Sequence, residues 1–126
     1  MVRSVGNVVR VGVDQIVPAG ILLLSSTSLE STCYLETAAI DGETNLKQKS
    51  VLTCFLNMAN PEESSFELQC DKPNDDIYQF HGRLLLSTTT TVYPCDNNNL
   101  LLRGCVLRIT DYIDGTLCCI EEEVMG

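Results

Sequence analysis

Asp41-Gly42-Glu43-Thr44, followed by Asn45-Leu46-Lys47, is the stretch of this chain best suited to chemistry. Glycine lets the backbone bend sharply there, so the next side chain can be pushed out to a tip. A glutamate held at such a tip can orient a water molecule or take its proton. Glu43 is therefore the candidate acid–base group. The tetrapeptide also has a plainer reading. Asp-Gly is a common hairpin turn, and an exposed glutamate beside it is ordinarily only solvated. The rest of the chain has to decide between the two.

Other chemistries find no support. There is no glycine-rich phosphate loop of the P-loop type and no Gly-x-Ser-x-Gly nucleophile elbow. His81 is the single histidine, and it reads as a packed or surface residue rather than a base. Asp71 to Gly82 lacks the glycine at the sixth position and the glutamate at the twelfth that a calcium loop needs. Asp41-Gly42 and Asp114-Gly115 do not make an aspartic-protease pair, because that chemistry requires Asp-Thr/Ser-Gly at each loop.

The chain has 126 residues, 8 Lys and Arg against 17 Asp and Glu, and a net charge of −9. That length is one domain with a single hydrophobic core, and 44% hydrophobic residues argue against general disorder. The acidic balance argues against nucleic acid as a partner, since phosphate backbones need clustered cations. The cations are scattered, with Lys47 and Lys49 the one close pair. Apolar runs such as Ile21 to Leu24 fall far short of the roughly 18 residues of a membrane span, so no direct membrane insertion is expected. The N-terminus lacks the apolar stretch of a signal peptide. Seven irregularly spaced cysteines without a Cys-x-x-Cys pair read as reduced, small hydrophobes of a cytosolic protein, not as disulfides or a zinc site.

The elements that would position Glu43 are short strands. Val8 to Val13, Ile21 to Ser26, Cys33 to Thr37, Asn45 to Lys49, Phe66 to Cys70, Ile77 to Leu86, Thr88 to Tyr93, Leu100 to Arg103, Cys105 to Thr110 and Thr116 to Ile120 all carry strand character. Pro18 demotes Gln15 to Ala19 to an edge or turn. A short helix is expected within residues 50 to 64. Turns or loops are expected at Asp71 to Asp76, Pro94 to Asn99 and Asp111 to Gly115, with a solvated tail at Glu121-Glu122-Glu123. Many short strands and at most one short helix predict a mainly-β sandwich or distorted barrel.

Taken in order, these blocks resemble the actuator domain of P-type ATPases, in the phospholipid-transporting (flippase) branch. The resemblance is carried by Val5 to Val11, by Ile16 to Ser26 around Pro18-Ala19, and by Cys33 to Thr37 continuing through Asp41-Gly42-Glu43-Thr44-Asn45-Leu46-Lys47. It continues in Cys70 to Phe80 and in Leu100 to Gly104 with Leu107-Arg108. It is strongest over residues 5–115 of a single domain spanning 1–126, and residues 117–126 form a divergent acidic tail. Asn7, Gly20 and Ile109 stand where the family usually has Asp, Asp and Asn.

The resemblance implies a mainly-β, distorted double-stranded jelly-roll. It implies that Glu43 positions the water that attacks an aspartyl phosphate and accepts its proton. Gly42 would let the loop approach the phosphate, and Asp41 and Thr44 would shape the turn. Dephosphorylation would then be coupled to lipid flipping. The partners implied are the phosphorylation domain and membrane helices of a parent ATPase. ATP and Mg would bind in those other domains, with no cofactor or metal in this chain. The expected location is the cytosolic side of a cellular membrane, or the cytosol if the chain is expressed alone. The chain by itself is not expected to turn over, since the phosphorylation motif Asp-Lys-Thr-Gly-Thr is missing. The alternative is a stand-alone, non-catalytic β binding or regulatory module from a truncated or diverged gene.

Overall fold

The computed structural model describes residues 2–4, 8–56, 66–70, 81–86 and 91–117. Eleven strands fall among them: β1 Val2–Ser4, β2 Val8–Gly12, β3 Ile21–Ser26, β4 Thr32–Glu36, β5 Lys47–Ser50, β6 Phe66–Cys70, β7 His81–Leu86, β8 Val92–Asp96, β9 Leu100–Leu101, β10 Val106–Arg108 and β11 Tyr112–Leu117. The one α-helix is a single turn, α1, at Ala38–Asp41. The strands pair antiparallel in three open sheets, ordered β1-β6-β7-β8, β10-β4-β5 and β2-β11-β3-β9. This is a mainly-β, jelly-roll-like arrangement, and none of these sheets closes into a barrel.

Strand β3 shows why the apolar runs fold as they do. Ile21 to Leu24 are fully buried on both faces, as expected of a strand flanked by partners and covered above and below. They join Val11, Val17, Leu35, Leu101, Leu107 and Ile113 in one core cluster with Leu68 and Leu84. Phe55 and Phe66 close that cluster edge-to-face, with ring centroids 5.7 Å apart.

Several local expectations are corrected. Asp111 to Gly115 is not a turn: residues 112–117 form β11, an interior strand between β2 and β3. The composition misleads because its polarity is satisfied by neighbouring strands. Asp114 lies opposite Arg10 in the register and is buried. Its carboxylate accepts from Arg10 Nε at 2.8 Å and Nη2 at 3.1 Å, a two-pronged pair that satisfies the buried charge. The Arg10 guanidinium also lies 4.0 Å from the centre of the Tyr112 ring. Gly115 sits at a register shift against β3. A Cβ there would come within 2.1 Å of Ile21 Cγ2 and 2.7 Å of the Leu22 carbonyl oxygen, so close strand approach, not turning, demands glycine.

Of the helix expected within 50 to 64, the described part forms a 3-10 turn at Thr53–Phe55, and residues 57–64 lie outside the described ones. Pro94 is within β8 rather than in a turn. That strand is at a sheet edge, where a missing N–H costs no ladder bond. The turn begins only at Asn97–Asn99. The strand foreseen from Asn45 starts at Lys47, and that foreseen from Leu100 stops at Leu101. The expected loop at 71–76, the threonines at 88–90, Asn7 and the tail from 118 onward lie outside the described residues.

Ile109 is the conspicuous backbone outlier. It has φ of 68°, and across it the Thr110 N–H donates to the Arg108 carbonyl at 2.7 Å, closing a three-residue γ-turn of the strained kind. A left-handed conformation costs an L-residue about 1–2 kcal/mol, and a branched Cβ makes it worse. The side chain is 73% exposed, so little packing offsets this. Ile109→Asn should therefore raise stability by about 1 kcal/mol, read as a higher urea midpoint at unchanged slope. A lower midpoint would mean that the isoleucine contributes packing that outweighs its strain.

Candidate functional site

The loop that carries Glu43 is built from β4 outward. The strand ends at Glu36, and Thr37 follows it into a buried position. Ala38, Ala39 and Ile40 then wind one helical turn, as two alanines favour. Gly42 stops it in the left-handed conformation, φ 74°, with its N–H donating to the Ala38 carbonyl at 2.9 Å. No atom lies within 4 Å of where a Gly42 Cβ would be, so conformation and not crowding demands glycine.

Asp41 ties the bend together. The Thr37 hydroxyl donates to its carboxylate at 3.0 and 3.1 Å. The same carboxylate accepts the Glu43 N–H at 2.9 Å. This places the Glu43 side chain outside the helix and outside the core, 53% exposed. Among the described residues its carboxylate is bonded to one side chain, the Lys47 ammonium. That bond, more than anything else, raises the Lys47 pKa. Thr44 is exposed and its side chain makes no hydrogen bond among the described residues, so the turn is shaped by Thr37 and Asp41 instead.

Glu43 overlooks a cleft of about 510 Å³ lined by Thr37, Lys47, Lys49, Asn97, Asn98 and Cys105, among others. One wall is β5, which pairs with β4 through Leu35↔Lys47 and Cys33↔Lys49. The facing wall is the turn Asn97–Asn99. It is held by Asp96, which accepts the Asn98 N–H at 2.9 Å, and by Asn99, whose amide donates to the Ser50 carbonyl at 3.0 Å. The Lys49 ammonium bridges the walls by donating to the Asn97 carbonyl at 2.6 Å. Burial lowers the Lys49 pKa, partly offset by neighbouring groups including Cys105, Cys33 and Asp96.

Asp41, Gly42, Glu43 and Thr44, the candidates from the sequence, share one bend. In the sequence Thr37 reads as the end of a strand, Asn97 and Asn98 as part of a turn, and Lys47 and Lys49 as flanking strand residues and a close charge pair, none of them as a site residue. A threonine four residues before Asp41 was the available signal for the tether. Nothing local signals Asn97, which arrives from a distant part of the chain. Asp114 lies on β11, away from Asp41, with Arg10 as its partner. Among the described residues no group of His, Cys, Asp or Glu could hold a metal ion. Magnesium asks for several oxygen ligands, whereas Glu43 has an ammonium beside it, so a resident metal does not fit this bend.

No protein-family model matches the chain. Individual relatives do. It is 43% identical over 116 residues to phospholipid-transporting ATPase IC of Homo sapiens, covering 89% of this chain and 9% of that protein. It is 47% identical over 111 residues to phospholipid-transporting ATPase IK of Mus musculus, covering 85% and 8%. It is 42% identical over 116 residues to phospholipid-transporting ATPase 6 of Arabidopsis thaliana, covering 90% and 9%. The chain belongs to the phospholipid-transporting ATPase family. It spans less than a tenth of the length of these relatives. No helix among the described residues is long and apolar enough to cross a membrane.

The thiols in and behind the cleft, Cys105 in its lining and Cys33 in the core on β4, are poor nucleophiles. Burial pushes the Cys33 thiol up to about 12 from 9.0 and raises Cys105 as well. Only the thiolate attacks. Iodoacetamide at about pH 8 should therefore label Cys33 more slowly in the folded chain than in urea, by about a hundredfold or more, as quantified by mass spectrometry of the peptides. Comparable rates in both conditions would show that Cys33 is open to solvent.

Proposed function

We propose that this chain is the actuator domain of a phospholipid-translocating P-type ATPase, one β domain over residues 1–126, and that Glu43 promotes hydrolysis of an aspartyl phosphate formed in a neighbouring domain. The observation that carries this reading is the position of Glu43. Its carboxylate projects from a left-handed, Asp41-tethered bend over an open cleft, in a chain of this family. ATP and Mg supply the phosphoryl group and its metal in the other domains of the parent.

The chemistry asked of the bend is small. A water oxygen forms a bond to phosphorus as the bond to the aspartyl oxygen breaks. The water's proton passes to Glu43, and the products are the free aspartate and inorganic phosphate. Glu43 must hold that water and accept its proton, and the rigid tether fixes where the carboxylate stands. Gly42 contributes its bare outer face, with open space around it that a docked phosphate could approach. Movement of the domain against its phosphorylation-domain partner and the membrane helices, on the cytosolic side, would couple this step to lipid translocation.

The test uses a complete phospholipid-transporting ATPase carrying this chain as the corresponding segment. Glu43→Gln should leave phosphoenzyme formation from ATP intact and slow its decay by about 10²–10⁴-fold. Decay at the unsubstituted rate would remove Glu43 from the reaction.

A further inference from the structure

The Glu43 carboxylate is occupied in the free domain, because Lys47 holds it. The two ends of that pair are anchored differently. Lys47 is the first residue of β5 and is paired in register with the buried Leu35. Glu43 stands on the loop, with side-chain exposure of 53% against 31% for Lys47. An ion pair this open to water contributes little and exchanges readily for a better partner.

The cleft supplies the setting for an exchange. Lys47 and Lys49 are two apart on one strand, so both project from the same face of β5. Among the residues that line the cleft these two cations face one carboxylate, Glu43, in a chain whose net charge is −9, with Asp41 acting on Lys47 and Asp96 on Lys49 from just outside the lining. A phosphoryl group brings about 1.5 to 2 negative charges. Brought beside Glu43 alone it would be repelled by the carboxylate. The roles of the two lysines are separable. Lys49 already donates to the Asn97 carbonyl, and burial disfavours its charge. Lys47 keeps its charge, sits at the rim, and among the described residues its ammonium is bonded to the group that must be released.

We propose that Lys47 trades the Glu43 carboxylate for the oxygens of the incoming phosphoryl group. This inference rests on the reading of Glu43 given above. The exchange does two things in one movement. It gives the phosphoryl oxygens a cation from this domain, and it bares the Glu43 Oε2 that must take the proton from water. Before docking, the pair keeps the carboxylate from acting elsewhere. Lys47 is then a phosphoryl-binding residue of the reaction and not only a support for Glu43.

The experiment is run in the same complete ATPase, with orthovanadate as the mimic of the phosphoryl group in transfer. Lys47→Met should slow phosphoenzyme decay and raise the vanadate concentration for half-inhibition, each on the order of 10- to 100-fold. Lys47→Arg should recover most of the vanadate affinity. The vanadate defect of Lys47→Met should persist when Glu43→Gln is also present. Thermal melting of the variant chains should match the parent, since Lys47 is at the surface. Wild-type vanadate affinity in Lys47→Met would overturn the proposal. So would a defect that vanishes in the Glu43→Gln background, because Lys47 would then act only through Glu43. Normal decay in Glu43→Gln alone would instead overturn the underlying reading of Glu43, so the two failures are distinguishable.

Discussion

The site depends on one carboxylate held by hydrogen bonds on both sides of a bend, that of Asp41. It gathers the Thr37 hydroxyl from the end of β4 and the Glu43 amide from beyond the bend. Charge-assisted bonds of this kind are short and directional, and here they close a loop of seven residues on itself. Gly42 makes the closure possible by accepting the left-handed conformation. With Asp41 committed inward, Glu43 has nowhere to go but outward. The two acids of one short motif are thereby separated, Asp41 held within the bend and Glu43 turned out over the cleft.

The sheets give the bend a fixed frame. Strand β5 is laid against β4 and carries both lysines on one face, while Asn99 fastens the opposite turn to Ser50 at the end of β5. The facing walls of the cleft are therefore connected through the same strand. Electrostatics follow the same division. The chain as a whole carries a net charge of −9, whereas the cleft lining sets Lys47 and Lys49 against the single carboxylate of Glu43.

The readable parts of the sequence were those in which local pattern and tertiary context agree. Ile21 to Leu24 is apolar and becomes a buried strand, and the Gly42 bend falls where glycine allows it. The unreadable parts were decided by distant partners. Asp114-Gly115 looks like a turn until Arg10 supplies a counter-charge from β2 and β3 comes within reach of a missing Cβ. Pro94 looks like a strand breaker until it is seen on an edge. Ala38 to Asp41 is too short for any periodicity to announce a helix. At the site, Asp41 to Thr44 could be found from spacing, whereas the facing wall at Asn97 and Asn98 is contributed by residues some fifty positions away and leaves no mark near Glu43. Ile109 shows the reverse case, in which a residue of strong β preference occupies a conformation it resists.

The tether can be measured directly by amide hydrogen exchange at Glu43. If the Asp41 carboxylate holds that N–H, its exchange is slower than in the unstructured chain by about tenfold or more, the scale of one hydrogen bond to a charged group. In Asp41→Ala that protection disappears while the amides of β4 and β5 keep theirs. An unprotected Glu43 amide in the unsubstituted chain, with the strands protected, would contradict the account, because the carboxylate would then be swinging free and not held over the cleft.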